Sequence, residues 1–178
     1  MNDNDGAQSA SDTRESFAAI DRRTYPKHTP VWSEILPGLW QGGTLDSDKH
    51  NQYAVPLISK REFDSVFTLY AHANPVDWFV KEFRFGFMDS DDTEFDTALL
   101  KRVVALAHGD WKRGEKVLIR CQAGLNRSGI ITALVLIRDG HSPSEAITLM
   151  RAKRNDWVLF NPHFEKWILK QSPQEWQD

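Results

Sequence analysis

Two apolar runs on either side of a polar, glycine-containing loop dominate the hydrophobic pattern of the chain. The first run, 117–119, is short and rich in β-branched residues, whereas the second covers 130–137. A short apolar run bounded by turn residues predicts a buried strand, and a longer one predicts a helix buried on nearly all sides. Residues 121–128 are therefore expected to form a tight loop that connects a strand to a helix.

Upstream of this loop the pattern predicts strands. Pro37-Gly38 is a turn dipeptide between the apolar segments 32–36 and 39–41, which indicates a hairpin. Residues 63–70 mix β-branched and aromatic side chains, as is typical of a buried strand. Residues 82–87 alternate polar and apolar side chains, so their phenylalanines are expected on one face of another strand.

Helices are predicted where apolar residues recur at helical spacing after a capping residue. One helix is expected to begin at Thr93 and Asp96 and to end at Gly109. The capping box 142–145, with proline at its first helical position, begins the next helix. The dipeptide 161–162 begins the last helix in the same way.

Strands before the loop and helices after it predict an α/β fold. We expect a three-layer α/β/α domain with a small, mainly parallel central sheet, and a loop between a central strand and a helix. Such sheets bind ligands at the carboxyl ends of their strands. The polar composition of residues 1–28 predicts a flexible tail, residues 29–172 one folded domain, and residues 173–178 a frayed C-terminus.

Composition narrows the classes of function. The net charge of −3 provides no global basic field for nucleic acid, and the single cysteine excludes an internal disulfide and suits a reducing compartment. No apolar run is long enough to span a bilayer, and the acidic, polar residues 1–5 are unlike a signal peptide. We therefore expect a monomeric, cytoplasmic enzyme.

The loop carries the candidate chemistry. Its backbone N–H groups and the N-terminus of the following helix are expected to converge on one point and form an anion site. Arg127 adds a forked, permanently charged donor that suits two oxygens of a phosphate group. The only cysteine, Cys121, begins the loop, where the helix N-terminus and an arginine favour the thiolate form. A thiolate beside a phosphate-sized anion site is a candidate nucleophile.

The pattern Cys-x5-Arg-Ser, with glycine three residues after the cysteine, resembles the signature loop of the cysteine-dependent protein-tyrosine and dual-specificity phosphatases. This resemblance implies that 29–172 is a catalytic domain acting on phosphorylated proteins through a cysteinyl phosphate. Cys121 is then the nucleophile, and Ser128 hydrogen-bonds the sulfur as it leaves. It also implies that no metal or cofactor is needed, and that the phosphate is held by these loop residues: Gln122, Ala123, Gly124, Leu125, Asn126 and Arg127.

A general acid must protonate the leaving oxygen, and the resemblance places an aspartate about thirty residues before the cysteine. Asp89, Asp91 and Asp92 precede Cys121 by 32, 30 and 29 residues. The apolar-any-apolar-any-Asp pattern of 85–89 fits the family best at Asp89. We therefore assign Asp89 as the acid, with Asp92 as the second choice.

Two residues depart from the family pattern. Arg120 replaces the usual histidine before the cysteine, and strand alternation directs its side chain away from Cys121. Asn126 precedes Arg127, as it often does in RNA 5′-triphosphatases of the same fold. Further along the chain, the resemblance implies that Arg154, Arg151 and Asn161 brace the loop.

Several readings of function stay open at this point. The leading one is a phosphatase acting on phosphotyrosine, with phosphoserine and phosphothreonine as additional candidate substrates. The same chemistry could serve a phosphoinositide or an RNA 5′-triphosphate, although 122–126 carry no lysine and the chain is mildly acidic. Arg120 motivates a phosphate-binding module without turnover. A rhodanese-type sulfur carrier explains neither Arg127-Ser128 nor an upstream acid.

Overall fold

The computed structural model describes residues 29–44 and 57–177. Within these residues five strands form one sheet with the order β1-β2-β5-β3-β4. The strands are β1 Trp32–Leu36, β2 Leu39–Gly42, β3 Ser65–Thr68, β4 Lys81–Arg84 and β5 Val117–Arg120. The four strands β2 to β5 are mutually parallel, and only β1 pairs antiparallel. The α/β fold with a mainly parallel sheet is thus confirmed.

The register of the sheet brings three strand ends to the same point. Arg120, the last residue of the central strand β5, pairs with Gly42 of β2 on one side and with Thr68 of β3 on the other. Cys121 follows directly, so it leaves the sheet between two neighbouring strand ends. This is the crevice where parallel sheets bind ligands.

Helices cover one face of the sheet and build the main core. They are α1 Thr97–Lys112, α2 Arg127–Arg138, α3 Pro143–Lys153, α4 Pro162–Leu169 and α5 Pro173–Trp176. Residues 128–137 of α2 are all buried, as the apolar run 130–137 predicted. Such a helix is held from every side, which makes it a rigid support for the loop that precedes it.

The opposite face of the sheet carries a smaller apolar cluster. Val66 and Leu118 project into it, next to Ile58, Phe63 and Val80. Side chains alternate along a strand, so these two positions face away from the main core that receives Phe67 and Ile119. In the described residues this cluster is covered mainly by the irregular segments around 57–63 and 76–80.

Several boundaries differ from the sequence predictions. The helix expected from Thr93 to Gly109 instead begins after Asp96, whose side chain accepts the N–H of Leu99, and it continues through Gly109 to Lys112. Thr93 donates its hydroxyl to the carbonyl of Met88 within the preceding loop. Helix α1 terminates before Gly114, which has the positive φ of +86° that glycine tolerates.

The C-terminal residues form a short helix where a frayed end was expected. Trp176 in α5 is only 1% exposed, and its carbonyl accepts a hydrogen bond from Nη1 of Arg138 at 2.6 Å. Packing of this one large side chain is what holds the end of the chain. The tail predicted over 1–28 lies outside the described residues. No helix in the described part is long and apolar enough to cross a membrane.

Candidate active site

The cysteine loop surrounds the sulfur of Cys121 with polar groups. Cys121 is 2% exposed, and its Sγ accepts a hydrogen bond from the backbone N–H of Gly124 at 3.2 Å. The hydroxyl oxygen of Ser128 lies 3.4 Å from the sulfur. Helix α2 begins at Arg127, so its unsatisfied N–H groups lie next to the same loop. The sulfur is therefore placed where both the loop and the helix end stabilise negative charge.

Glycine is required at position 124 for two reasons. The backbone of Gly124 has φ of +74°, which is unfavourable for residues with a Cβ atom. A Cβ atom at this position would also overlap the backbone of Gly42 at the end of β2. The two chain segments are tied together, because the N–H of Cys121 donates to the carbonyl of Gly42 and that of Thr44 to Gln122.

Arg154 braces the loop from its outer side, as the family resemblance implied. Its Nε donates to the carbonyl of Gly124 at 2.6 Å and its Nη2 to the carbonyl of Ala123 at 3.3 Å. Its Nη1 reaches Ser33 and the carbonyl of Gln41 at 3.1 and 3.3 Å. Because these loop carbonyls are directed toward Arg154, the loop can present N–H groups on its other side.

Arg127 is held in an orientation that leaves part of its fork available. Its Nη1 donates to the carbonyl of Leu69 at 3.1 Å, and its guanidinium carbon lies 5.7 Å from the centre of the Tyr70 ring. Its Nε is buried and has no hydrogen-bond partner among the described residues. A buried, unsatisfied N–H of a cation costs free energy unless an anion accepts it. This atom is a candidate donor to a phosphate oxygen.

The structure brings Asp89 to the loop and leaves the other two aspartates outside. One carboxylate oxygen of Asp89, Oδ1, accepts hydrogen bonds from Asn126 at 3.1 Å and from Asn161 at 3.3 Å. The other oxygen, Oδ2, lies 3.9 Å from Nε of Arg127. Asp91 and Asp92, the second choice for the acid, are exposed on the same loop.

Burial raises the pKa of Asp89 above the ordinary aspartate value. Loss of water around the carboxylate is the largest cause, and it outweighs the hydrogen bond from Asn161, the charge of Arg127 and the hydrogen bond from Asn126, which all act in the opposite direction. The carboxyl group therefore keeps its proton to a higher pH than an aspartate of ordinary pKa does. This property suits a group that must donate a proton.

Arg120 points away from the cysteine, as strand alternation predicted. It is nearly fully buried, and its Nη2 bonds Glu82 at 3.0 Å and the carbonyl of Asn74 at 2.6 Å. Its Nε donates to the hydroxyl of Thr68 at 2.9 Å. The arginine therefore joins β5, β3 and β4 across one face of the sheet, and it points away from the sulfur of Cys121.

Replacing Glu82 by alanine is expected to lower the free energy of unfolding by about 3 kcal/mol, because the charge of Arg120 would stay buried without its partner. Urea unfolding followed by tryptophan fluorescence measures the change. Glu165→Ala is the matched control, since it removes a partly exposed ion pair with Arg151 and should cost less than about 1 kcal/mol. Equal losses in the two variants would show that Arg120 does not depend on Glu82.

Some contacts at the site were not predicted from the sequence. The assignment of Asn126 to phosphate binding did not anticipate that its amide contacts Asp89, 37 residues away along the chain. Gln41 also went unnoticed, although it is fully buried and its Nε2 donates to the carbonyl of Gly124 at 3.1 Å. The sequence signal that could have indicated it is a polar glutamine within the apolar segment 39–41 that is predicted as a strand.

Comparisons with known proteins agree with this geometry. A family model described as "Dual specificity phosphatase, catalytic domain" matches residues 46–174. The chain is 24% identical over 146 residues to "Putative tyrosine phosphatase 123R" of Invertebrate iridescent virus 6, covering 76% of this chain and 93% of the relative.

Solved structures share the fold at low sequence identity. Human DUSP28 matches with a TM-score of 0.65 and 19% identity, covering 86% of this chain and 97% of that one. The human tyrosine phosphatase-like serine/threonine/tyrosine-interacting protein matches with a TM-score of 0.61 and 18% identity, covering 77% and 92% of the two chains.

Proposed function

The chain belongs to the dual-specificity phosphatase catalytic-domain family, and we propose that it hydrolyses phosphotyrosine, and also phosphoserine or phosphothreonine, on proteins. One observation carries the proposal. A buried sulfur, a buried arginine N–H that lacks a hydrogen-bond partner among the described residues, and a carboxyl group of raised pKa meet at one end of the sheet. These are a nucleophile, an anion receptor and a proton donor.

In the first step the thiolate of Cys121 attacks phosphorus. The S–P bond forms as the P–O bond to the leaving group breaks, and Asp89 transfers its proton to the departing oxygen. The loop N–H groups and the guanidinium of Arg127 hold the three equatorial oxygens, where negative charge lies in the transition state.

In the second step a water molecule attacks the cysteinyl phosphate. The Asp89 carboxylate takes the proton of that water as the new P–O bond forms and the S–P bond breaks. The hydroxyl of Ser128, 3.4 Å from the sulfur, can donate a hydrogen bond to the thiolate that leaves. Inorganic phosphate and the starting thiolate are the products.

The surroundings of the site favour a protein phosphoester over the polyanionic alternatives. The segment that carries Asp89 also exposes Asp91, Asp92, Glu94 and Asp96, and this negative charge opposes a phosphoinositide or an RNA 5′-triphosphate. Asn126 had suggested an RNA substrate, but its contact with Asp89 gives it a role that does not depend on RNA. Arg120 bonds Thr68 and Glu82 and points away from the sulfur, so its charge does not act on Cys121 through a direct contact, which is compatible with turnover. A cytoplasmic, monomeric enzyme stays a prediction.

The test is the hydrolysis of phenyl phosphate by the purified chain without added metal, compared with Asp89→Asn. The raised pKa keeps Asp89 protonated at low pH, so kcat/KM of the native chain should fall as the pH rises through that pKa. Asparagine cannot donate this proton, and we expect kcat/KM to fall by about 10²-fold or more and this decline with pH to disappear.

Asp92→Asn is the matched control in the same loop. It should keep both the rate and the pH profile of the native chain, because the contacts to Asn126, Asn161 and Arg127 are made by Asp89 and not by Asp92. Persistence of the alkaline decline in Asp89→Asn would mean that another group supplies the proton. No hydrolysis by the native chain at any pH would contradict the proposed function as a whole.

A further inference from the structure

Two asparagines donate to the same oxygen of Asp89. Asn126, within the cysteine loop, reaches Oδ1 through its Nδ2 at 3.1 Å, and Asn161, before α4, reaches it through its Nδ2 at 3.3 Å. Oδ2 has a different neighbour, because it lies on the side of Arg127, 3.9 Å from Nε. The two oxygens of this carboxyl group are therefore in unequal surroundings.

The surrounding hydrogen bonds determine which end of each amide faces Asp89. The side-chain oxygen of Asn161 accepts the N–H groups of His163 and Phe164 at 3.0 and 3.4 Å and so caps α4. The side-chain oxygen of Asn126 accepts the backbone N–H of Asn161 at 3.1 Å. With both oxygens committed, each NH₂ group must be directed toward the carboxyl group.

This arrangement controls where a proton can reside. A carbonyl oxygen accepts two hydrogen bonds readily, whereas a protonated carboxyl oxygen is itself a donor. A neutral Asp89 keeps both bonds from the amides only when its proton is on Oδ2. That oxygen faces Arg127, the residue proposed to hold the phosphate, so it is the oxygen on the side of the substrate.

We propose that Asn126 is a positioning residue that orients Asp89 so that Oδ2 carries and delivers the catalytic proton. The inference rests on the proposed function, in which Asp89 is the acid. Asn126 also bonds the backbone N–H of Asn161 at 3.1 Å, so it contacts both the acid and the second amide that donates to it. Asn126, which in the sequence had suggested an RNA substrate, instead links the cysteine loop to Asp89.

The test compares two substrates that differ in their need for an acid. Phenolate is a poor leaving group and needs the proton, whereas p-nitrophenolate leaves readily without it. The quantity is kcat/KM, which covers the steps up to departure of the phenol. Asp89→Asn should reduce it for phenyl phosphate far more than for p-nitrophenyl phosphate. Asn126→Ala should do the same to a smaller degree, about tenfold for phenyl phosphate and less than about twofold for the other.

A second variant separates positioning from folding. Asn126→Asp keeps the side-chain volume and the acceptor for the N–H of Asn161, but it replaces the donor to Asp89 by a carboxylate oxygen. Its added negative charge should slow both substrates, because it repels the phosphate, but the ratio of kcat/KM for the two substrates should change as in Asn126→Ala. Asn155→Ala is the control for losing an amide from a nearby loop, since its side chain bonds Thr29 and Trp157, and it should leave the ratio of the two substrates unchanged.

Each outcome decides between the two proposals. The positioning role is overturned if the loss of kcat/KM in Asp89→Asn depends on the leaving group but the Asn126 variants slow both substrates equally or neither. The proposed function stands in that case. If Asp89→Asn shows no such dependence, the acid assignment itself is wrong. Absence of hydrolysis by the native chain overturns the proposed function, and the inference with it.

Discussion

Substitution of Cys121 by serine is expected to reduce kcat/KM for phenyl phosphate by at least about 10⁴-fold. The sulfur lies where a backbone N–H, a hydroxyl group and a helix N-terminus can stabilise its thiolate. A serine hydroxyl at the same place keeps its proton at neutral pH, and Asp89 is required in its protonated form during the first step. The variant therefore lacks both the nucleophile and a base to generate one. Steady-state hydrolysis, measured at a high concentration of variant enzyme with the substrate still in excess, tests this.

The same variant should still bind phosphate, since the loop N–H groups and Arg127 are unchanged. Competition by inorganic phosphate for a fluorescent phosphopeptide, with a dissociation constant within about threefold of the native value, would show an intact site. A thermal unfolding curve controls for folding, because oxygen for sulfur changes the volume little. Substantial turnover by Cys121→Ser would exclude the cysteinyl-phosphate mechanism.

Substitution of Arg127 by lysine is expected to reduce kcat/KM by roughly 10²- to 10³-fold, although the charge is retained. The guanidinium is oriented by the carbonyl of Leu69 on one nitrogen, while Nε has no hydrogen-bond partner within residues 29–44 and 57–177. An ammonium group cannot bond this carbonyl and also present a planar fork to two phosphate oxygens. Most of the loss should be in kcat, because the contact strengthens as charge moves onto the equatorial oxygens.

Arg138→Lys is the matched control, because this arginine bonds the carbonyl of Trp176 in α5 and is the last residue of α2, at the opposite end of the helix from the loop. It should keep kcat/KM within about twofold of the native value, the range expected for a change away from the reacting atoms. If Arg127→Lys also stayed within a few-fold, charge alone would suffice, and the fork geometry would be irrelevant.

The elements that local sequence predicts well are those with both a periodic pattern and a cap. Helix α3 begins with the predicted capping box, formed between Ser142 and Glu145, and α4 begins after Asn161 as expected. Helix α1 begins later and ends later than its sequence pattern predicts. It continues past Gly109 because glycine costs only about 1 kcal/mol within a helix and packing of the following turn outweighs this cost. The order of the last residues depends on burial of Trp176, which no local pattern reveals.

The candidate site also has one part that local sequence predicts and another part that it does not. The strand, the loop and the helix that present Cys121, Arg127 and Ser128 are contiguous in the chain, so the eight residues 121–128 and their apolar flanks were enough to predict this part of the site. The distances between these three side chains are set by the local backbone conformation of the loop and the first turn of the helix. Gly124 belongs here too, since its positive φ follows from the tight loop.

The partners of these residues are set by contacts between distant segments. Three aspartates fit the spacing in the sequence, and the path of the chain after β4 brings only Asp89 to Arg127. The pairing of Asn126 with Asp89 and of Arg120 with Glu82 joins residues 37 and 38 positions apart. Such pairs form only when parallel strands settle into one register and a buried helix holds the loop against them. The candidate nucleophile can therefore be identified from the sequence alone, whereas the choice and orientation of the candidate acid depend on tertiary packing.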